Sequence, residues 1–362
     1  MKILTILGAR PQFIKAAAVS RIFYNSSNVS EVIVHTGQHF DKNMSEVFFD
    51  QLEIPKPHYN LKISGLSHGA MTARMLENIE GLILKEQPTS VLVYGDTNST
   101  LAGALAASKL NTPIIHVEAG LRSFNACMPE EVNRILTDRL SSYLFCPTAV
   151  AVDNLHAEGY PFNDSSNKLQ VIENVGDVMF DAMNFYREKS LKTVDLRSLG
   201  IEGRGYVVCT IHRQENTENI SKLCNILTAL VEIAKNKEVI LPVHPRTAAK
   251  LKNLDFDTKD IKILAPLPYL EMQRLIMDAS CVLTDSGGMQ KEAYFHEVPC
   301  VTLRNETEWT ETVSSGWNKL VGDNIDKIVE ASTSQAIPVR PIEPFYGSGS
   351  ASVKILETLG IS

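Results

Sequence analysis

The segment Thr284-Asp285-Ser286-Gly287-Gly288-Met289-Gln290-Lys291-Glu292-Ala293 follows directly on the apolar run Cys281-Val282-Leu283. A short apolar run bounded by turn residues reads as a buried strand, and the residues from Met289 onward can be helical. Ser286-Gly287-Gly288 is then a strand-to-helix turn. Adjacent glycines let the backbone approach a ligand closely, and the free N–H groups of a helix start hold an anion. Glu292 lies about one helical turn inside that start, where a carboxylate can accept hydrogen bonds from a ribose diol. A diphosphate cradle with a carboxylate one turn on implies a nucleotide carrier, such as a nucleotide sugar. The plainer reading is a Gly-rich αβ turn with Glu292 on a solvated face, and this segment alone leaves both open.

Outward from this segment, short apolar runs alternate with helix-length amphipathic stretches. Strands are predicted at 2–7, 32–35, 90–94, 114–117, 143–146 and 169–172, then at 206–210, 238–243, 261–264, 281–284 and 300–303. Helices are predicted between them, for instance at 11–24, 68–85, 99–109, 129–141, 220–235, 269–278 and 290–295, with a last one at 351–359. This βαβα order implies parallel sheets covered on both faces. The 362 residues exceed one typical core. The chain is therefore read as α/β, with two doubly wound, Rossmann-like domains and a cleft between them. The expected division is 1–172, 173–345 and a helical piece, 346–362, that crosses back to the first domain. Ser165-Ser166-Asn167-Lys168 and then Asn174-Val175-Gly176-Asp177 mark the expected hinge.

Composition narrows the class. Hydrophobic residues make up 44% and charged residues 21%, as in ordinary soluble enzymes. A formal charge of −7 argues against nucleic-acid partners and against a polybasic membrane patch. The apolar runs fall far short of the roughly 20 residues of a membrane span. The chain opens directly into Lys2-Ile3-Leu4-Thr5-Ile6-Leu7 with no signal-peptide pattern, so a cytoplasmic location is expected. Cys127, Cys146, Cys209, Cys224, Cys281 and Cys300 form no Cys-x-x-Cys pair, and no His-x-x-x-His pair occurs. Free thiols and no metal site are the expectation.

In doubly wound folds ligands bind beyond the carboxyl ends of the strands. After the first strand come Gly8-Ala9-Arg10-Pro11-Gln12-Phe13-Ile14-Lys15, with Pro11 at a helix start. Arg10 and Lys15 place cations against the helix dipole, an arrangement suited to a pyrophosphate; two solvated surface cations are the alternative. The third strand ends in Tyr94-Gly95-Asp96-Thr97-Asn98, where Asp96 is either a site carboxylate or a helix cap. Glu118, in His116-Val117-Glu118-Ala119-Gly120-Leu121-Arg122, opens from the fourth strand into the cleft. Glu130 and Glu131 open a helix, where its dipole favours them. Glu130/Arg134 and Arg134/Asp138 have the spacing of ordinary ion pairs. In the second half His212-Arg213-Gln214-Glu215-Asn216 and His244-Pro245-Arg246 follow strands, and His212 is a functional candidate. Several carboxylates and a histidine opposite a diphosphate cradle imply acid–base chemistry on the carried sugar.

Together these segments resemble the non-hydrolysing UDP-N-acetylglucosamine 2-epimerase family. The likeness covers nearly the whole chain. It runs through Gly8-Ala9-Arg10-Pro11 with Lys15, Thr36-Gly37-Gln38-His39, Tyr94-Gly95-Asp96-Thr97 and His116-Val117-Glu118-Ala119-Gly120-Leu121-Arg122. It continues through Pro129-Glu130-Glu131-x-Asn133-Arg134, His212-Arg213-x-Glu215-Asn216 and Asp285-Ser286-Gly287-Gly288-x-Gln290-x-Glu292. The family is similar in fold to the two-domain, B-type sugar-nucleotide glycosyltransferases. The resemblance implies anti elimination of UDP from C1 as the C2 proton leaves, a bound 2-acetamidoglycal, and re-addition of UDP with the proton returned to the opposite face. It implies Asp96, Glu118 and Glu131 as the acid/base carboxylates, and His212 beside the glycosidic phosphate oxygen or the sugar. Arg10, Ser286, Gly287 and Gly288 would hold the phosphates, Lys15 the sugar-phosphate end and Glu292 the ribose. The implied partner is a UDP-sugar, with no redox cofactor and no metal. A homodimer and a place in surface polysaccharide synthesis, such as lipopolysaccharide O-antigen, follow from the same likeness. Gln38, Arg74 and His244 match positions that line a second UDP-sugar site in bacterial members.

Two departures point to a subgroup. The family's Thr-Arg-Pro-Glu is Ala9-Arg10-Pro11-Gln12 here, and its arginine after Thr-Glu is Trp309 after Thr307-Glu308. Both resemble the enzymes that epimerise UDP-2,3-diacetamido-2,3-dideoxyglucuronate. A uronate carboxylate needs a cation, for which Arg304, Arg122 and Arg246 are candidates, with Arg134 as a further sugar contact. A glycosyltransferase of the same fold and a hydrolysing 2-epimerase are the alternative readings.

Overall fold

The structure, a computed structural model, describes residues 1–38, 52–163, 167–243, 245–254, 256–333 and 343–361. The chain forms two compact units, one from Met1–Asn184 with Pro344–Ser362, the other from Phe185–Glu343.

The first unit holds a seven-stranded parallel sheet in the order β3-β2-β1-β4-β5-β6-β7. The strands are β1 (Lys2–Leu7), β2 (Ser30–His35), β3 (Tyr59–Asn60), β4 (Ser90–Tyr94), β5 (Ile114–Val117), β6 (Tyr143–Cys146) and β7 (Val171–Asn174). Helices α1 (Arg10–Tyr24), α2 (His68–Glu86), α3 (Asn98–Lys109), α4 (Pro129–Leu140) and α5 (Ala149–Ala157) connect them. Helix α6 (Val178–Thr193) leads from this unit into the next. Leu4, Ile6, Val91 and Val93 pack against Met75, Ile79 and Ile83 of α2 and the alanines of α3. Gly103 lets α3 approach closely, since a Cβ there would lie 3.1 Å from Val93 and 3.2 Å from Ile6.

The second unit holds six parallel strands in the order β10-β9-β8-β11-β12-β13. They are β8 (Val207–Thr210), β9 (Val239–Pro242), β10 (Ile261–Leu264), β11 (Cys281–Thr284), β12 (Cys300–Thr302) and β13 (Asn318–Leu320). Helices α7 (Gln214–Thr217), α8 (Ile220–Ala234), α9 (Pro245–Asn253), α10 (Tyr269–Met277), α11 (Gly287–Phe295), α12 (Thr310–Ser314) and α13 (Ile325–Thr333) alternate with them. Strand residues alternate between two cores, as a sheet covered on both faces requires. Val207, Cys209, Val239 and Leu241 face α8 and α13, whereas Val208, Ile240 and Val282 face α10 and α11.

Residues 173–184 lie in the first unit, because β7 closes its sheet beside β6. The later part of the expected hinge therefore belongs to a strand and the turn after it, and Ser165 and Ser166 lie outside the described residues. The last helix, α14 (Ala351–Thr358), packs on α1 of the first unit. The buried carboxylate of Asp181 caps it, accepting from Ala351 N (3.0 Å), Ser352 N (2.7 Å) and Ser352 Oγ (2.8 Å). Gly176 passes so close to the returning chain that a Cβ would meet Tyr346 O at 2.8 Å.

Candidate active site

In the first unit the polar groups gather at the carboxyl ends of β1, β4 and β5 and along α4. Gln12 is buried at the start of α1 and ties two of these ends together. Its Oε1 accepts from Gly8 N (2.8 Å) and Ala9 N (3.0 Å), while Nε2 donates to Tyr94 O (2.8 Å) and Thr100 Oγ1 (2.9 Å). Arg10 is partly exposed at the same helix start, whereas Lys15 is buried one turn further on and ion-paired with Glu118. Lys15 is therefore no solvated surface cation. Glu118 sits just past β5 with φ +73, a left-handed conformation unusual for a non-glycine residue.

Asp96 and Glu131 are joined through Arg134, whose Nη2 bonds Asp96 Oδ2 at 2.6 Å and whose Nη1 bonds Glu131 Oε2 at 2.8 Å. Asp96 keeps 30% of its side-chain exposure, whereas Glu131 keeps 2%. Glu131 also accepts from Ser123 N (2.9 Å), Ser123 Oγ (3.0 Å) and Phe124 N (3.0 Å). Burial pushes the Glu131 carboxyl up, but the Ser123 N–H, Arg134 and the Phe124 N–H outweigh it and hold the group below the ordinary carboxylate range. Asn133 Nδ2 adds a bond to Asp96 O at 2.8 Å. Thr97, not Asp96, caps α3 through Thr100 N.

The i,i+4 pairs expected on α4 are replaced by buried ones. Arg134 turns to Glu131 and Asp96, and Asp138 turns to His116 Nδ1 (2.7 Å) and Arg122 Nη1 (2.7 Å), because this face of α4 packs into the unit. Arg122 donates from Nε and Nη2 to both oxygens of Glu158 at 2.7 and 2.8 Å. With Nη1 on Asp138 and Leu121 O, its guanidinium is an internal strut. His116 Nε2 donates to Gly95 O at 2.8 Å, directly before Asp96. Burial pushes the Asp138 carboxyl up, yet His116 and Arg122 outweigh it and hold it below the usual range. Asp138 and Glu158 were not candidates from sequence, because their partners lie far away along the chain.

In the second unit Asp285, at the end of β11, is fully buried and organises the loop after β8. It accepts from His212 N (3.1 Å), Arg213 N (3.1 Å) and Asn216 Nδ2 (3.1 Å), and pairs with His212 Nδ1 at 3.0 Å. Burial raises its pKa, but the His212 ring, the Arg213 N–H and Asn216 lower it further, so it stays below the usual range. The His212 side chain is 46% exposed, and with Nδ1 engaged its Nε2 is the nitrogen left for a ligand. Asp285 and Asn216 stood within the quoted motifs, but only the folded chain gives them this role.

Ser286 caps α11, its Oγ accepting from Met289 N at 3.4 Å. A Cβ on Gly287 would fall 2.3 Å from Glu308 Oε1 and 3.1 Å from Trp309 Nε1. The close neighbour that requires this glycine is thus the protein itself. Gly288 follows in the same first turn, and Glu292 is buried one turn on. Lys291, also buried, sets its ammonium 4.0 Å from the centre of the Trp309 ring, a cation–π contact. Arg304 is 4% exposed and lines a recess of about 200 Å³ with Glu215, Asn216, Lys222 and Asp323. Its Nη1 bonds Glu308 at 3.1 Å and its Nε lies 3.9 Å from Glu215 Oε1, while among the described residues Nη2 has no hydrogen-bond partner. Gln38 Oε1 accepts from Ser99 N and Oγ, Arg74 is exposed on α2, and His244 and the Arg246 side chain lie outside the described residues. Among the described residues no cluster is placed to hold a metal ion, and no helix is long and apolar enough to cross a membrane.

Two parallel-sheet units with polar residues at the strand ends, one of them opening a Gly-rich helix start, define an α/β enzyme of the nucleotide-handling kind. The UDP-N-acetylglucosamine 2-epimerase family matches residues 22–360, and the chain belongs to it. The chain is 54% identical over 361 residues to a UDP-2,3-diacetamido-2,3-dideoxy-D-glucuronate 2-epimerase of Pseudomonas aeruginosa, covering 99% of each. The solved UDP-GlcNAc 2-epimerase of Methanocaldococcus jannaschii, in complex with UDP-GlcNAc and UDP, matches with TM-score 0.91, 42% identity and 100% of both chains. That of Neisseria meningitidis, bound to UDP-GlcNAc, matches with TM-score 0.89, 31% identity and 100% of both chains. The protein is an epimerase of this non-hydrolysing type.

Proposed function

We propose that the protein inverts C2 of a UDP-2-acetamido sugar by eliminating and re-adding UDP, and that its substrate is UDP-2,3-diacetamido-2,3-dideoxyglucuronate. The observation that carries the chemistry is the joined set Asp96–Arg134–Glu131 beside Glu118–Lys15. A carboxylate takes the C2 proton as the C1–O bond breaks, the C1–C2 double bond forms and UDP departs as the diphosphate. Re-addition reverses these bond changes, with the proton delivered to the other face of C2. Loss of a proton beside an acetamido group needs a positioned base, and the departing diphosphate needs positive charge. Asp96 is the carboxylate with side-chain exposure for proton transfer, Glu118 works next to the Lys15 cation, and Glu131 holds the surrounding loop. His212 Nε2 serves the glycosidic phosphate oxygen, with Asp285 orienting the ring. Arg10 and the N–H groups at Ser286-Gly287-Gly288 hold the phosphates, and Glu292 holds the ribose.

Turnover in D₂O is the test of the chemistry: deuterium enters C2 of the product. Epimerised product that keeps protium at C2 sinks the mechanism. The choice of sugar is supported by the name of the Pseudomonas relative and by Trp309. Arg304, buried at the recess with Nη2 making no hydrogen bond among the described residues, is the cation proposed for the uronate carboxylate, because Arg122 is committed to Asp138 and Glu158. Offering this sugar and UDP-N-acetylglucosamine separately decides it, and a preference for the latter by about tenfold in kcat/KM removes the assignment. We further infer a cytoplasmic homodimer that supplies precursors of surface polysaccharide, such as O-antigen. Val132, Ile135 and Leu136 lie exposed together on α4 and suit a second copy, which light scattering on the eluted protein would detect.

A further inference from the structure

Phe124 combines two features that folding does not favour. Its side chain is 80% exposed, and its backbone has φ +56, the left-handed region that an aromatic residue rarely adopts. The conformation is imposed from beneath. Glu131 Oε1 accepts the Phe124 N–H at 3.0 Å, and Oε2 accepts Ser123 N and Oγ at 2.9 and 3.0 Å. The turn is closed further by Cys127 N on Asn125 Oδ1 (3.1 Å) and Met128 N on Asn125 O (3.0 Å). A buried carboxylate thus holds a strained loop so that its apolar ring stands in solvent. Strain maintained in this way points to a ligand rather than to the core.

The position says which ligand. The Glu131 that grips the Phe124 amide also binds Arg134, and Arg134 binds Asp96. Phe124 is thus linked through Glu131 and Arg134 to Asp96, one of the carboxylates proposed to act on the reacting sugar. We propose that Phe124 is a sugar-recognition residue, its ring face packing on the C–H face of the 2-acetamido hexose of the substrate. This rests on the epimerase reading above. Weakly positive C–H groups suit the negative face of an aromatic ring, and the contact adds apolar burial.

The test compares Phe124→Gly, Phe124→Leu and Phe124→Tyr in the full-length protein. Glycine is at ease in the left-handed region, so Phe124→Gly melts at or above the wild-type temperature. Its KM for the UDP-sugar rises about tenfold while its Kd for UDP alone stays within about threefold. Phe124→Tyr keeps the ring and a near wild-type KM, and Phe124→Leu falls between. A drop in melting temperature alongside the loss of activity would make the ring structural and overturn the proposal. So would an unchanged KM, or a UDP affinity that weakens as much as that for the UDP-sugar. Calorimetric binding of UDP-sugar against UDP gives the same comparison without turnover, so a failure of the epimerase reading is told apart from a failure at Phe124.

Discussion

Asp138→Asn is expected to destabilise the first unit severely. Its carboxylate is fully buried and takes His116 Nδ1 and Arg122 Nη1 at 2.7 Å each, with Gly120 N at 3.2 Å. Hydrogen bonds to charged groups contribute about 1.5–3 kcal/mol each and a neutral one about 1 kcal/mol. An asparagine oxygen keeps one of these bonds, and its NH₂ group turns a donor toward donors. The desolvation of the carboxylate is relieved in exchange. Breaking a buried ionic network from one side costs about 3–5 kcal/mol, and that range is expected here. Urea unfolding followed by circular dichroism near neutral pH measures it, and hydrogen exchange on peptides from β5 and α4 localises it. Both tryptophans, Trp309 and Trp317, lie in the second unit, so their fluorescence follows the other unit separately. The pH dependence has a fixed sign. The Asp138 pKa is lowered in the folded state, so its contribution is fully present above the unfolded value of about 3.9 and is lost as pH falls through the folded one. The gap between wild type and variant therefore closes in acid, as pH falls below about 4. A neutral-pH difference under about 1 kcal/mol would refute the buried-network reasoning.

The remaining expectations concern activity. Asp96→Asn and Glu118→Gln should each lower kcat by about a hundredfold or more, while calorimetry finds UDP binding within about threefold of wild type. A parallel loss of UDP affinity would mean that these carboxylates hold the substrate rather than move its proton. Asp285→Asn should free the His212 ring and the backbone at 212–213, lowering kcat about a hundredfold and destabilising the second unit, read by tryptophan fluorescence. Retained turnover with a loosened His212 would remove its catalytic assignment. If a second UDP-sugar site operates, initial rates are sigmoidal in substrate and Arg74→Ala makes them hyperbolic or nearly abolishes turnover. Hyperbolic wild-type kinetics unaffected by the substitution would dismiss the site.

Strands flanked by turn residues on both sides were legible to the residue: β1, β4, β5, β6, β10 and β11 match the apolar runs that announced them. The two edge strands β3 and β13 were not anticipated, because two or three residues with mixed exposure make no periodic pattern. Helix α5 owes its start to a cap rather than to an amphipathic pattern. Thr148 accepts from Ala151 N at 3.2 Å before the apolar Ala149-Val150-Ala151-Val152. Helix α11 begins three residues earlier than periodicity suggested, since Ser286 caps it and the glycines lie inside its first turn. The carboxylate that caps α14, Asp181, lies 170 residues away in sequence, where no local pattern reveals it.

Helix α4 shows why the chemistry was only partly legible. Its polar residues Glu131, Asn133, Arg134, Thr137 and Asp138 are buried, while Val132, Ile135 and Leu136 are exposed. An ordinary surface helix is the reverse, and i,i+4 spacing alone placed Arg134 and Asp138 in ordinary ion pairs. Sequence named all three carboxylates because each follows a strand end or opens a helix. It had no means of ranking them, since rank depends on which donors fold brings to each. Glu131 accepts four bonds and is held ionised among them, a geometry that resists taking a further proton. Asp96 has one guanidinium and an open side, and Glu118 has a lysine that can compensate charge as a diphosphate departs. Three acidic residues in one place are therefore not three equivalent bases. In the proposed chemistry Asp96 and Glu118 act on the sugar, while Glu131 holds Ser123, Phe124 and the Arg134 guanidinium that reaches Asp96.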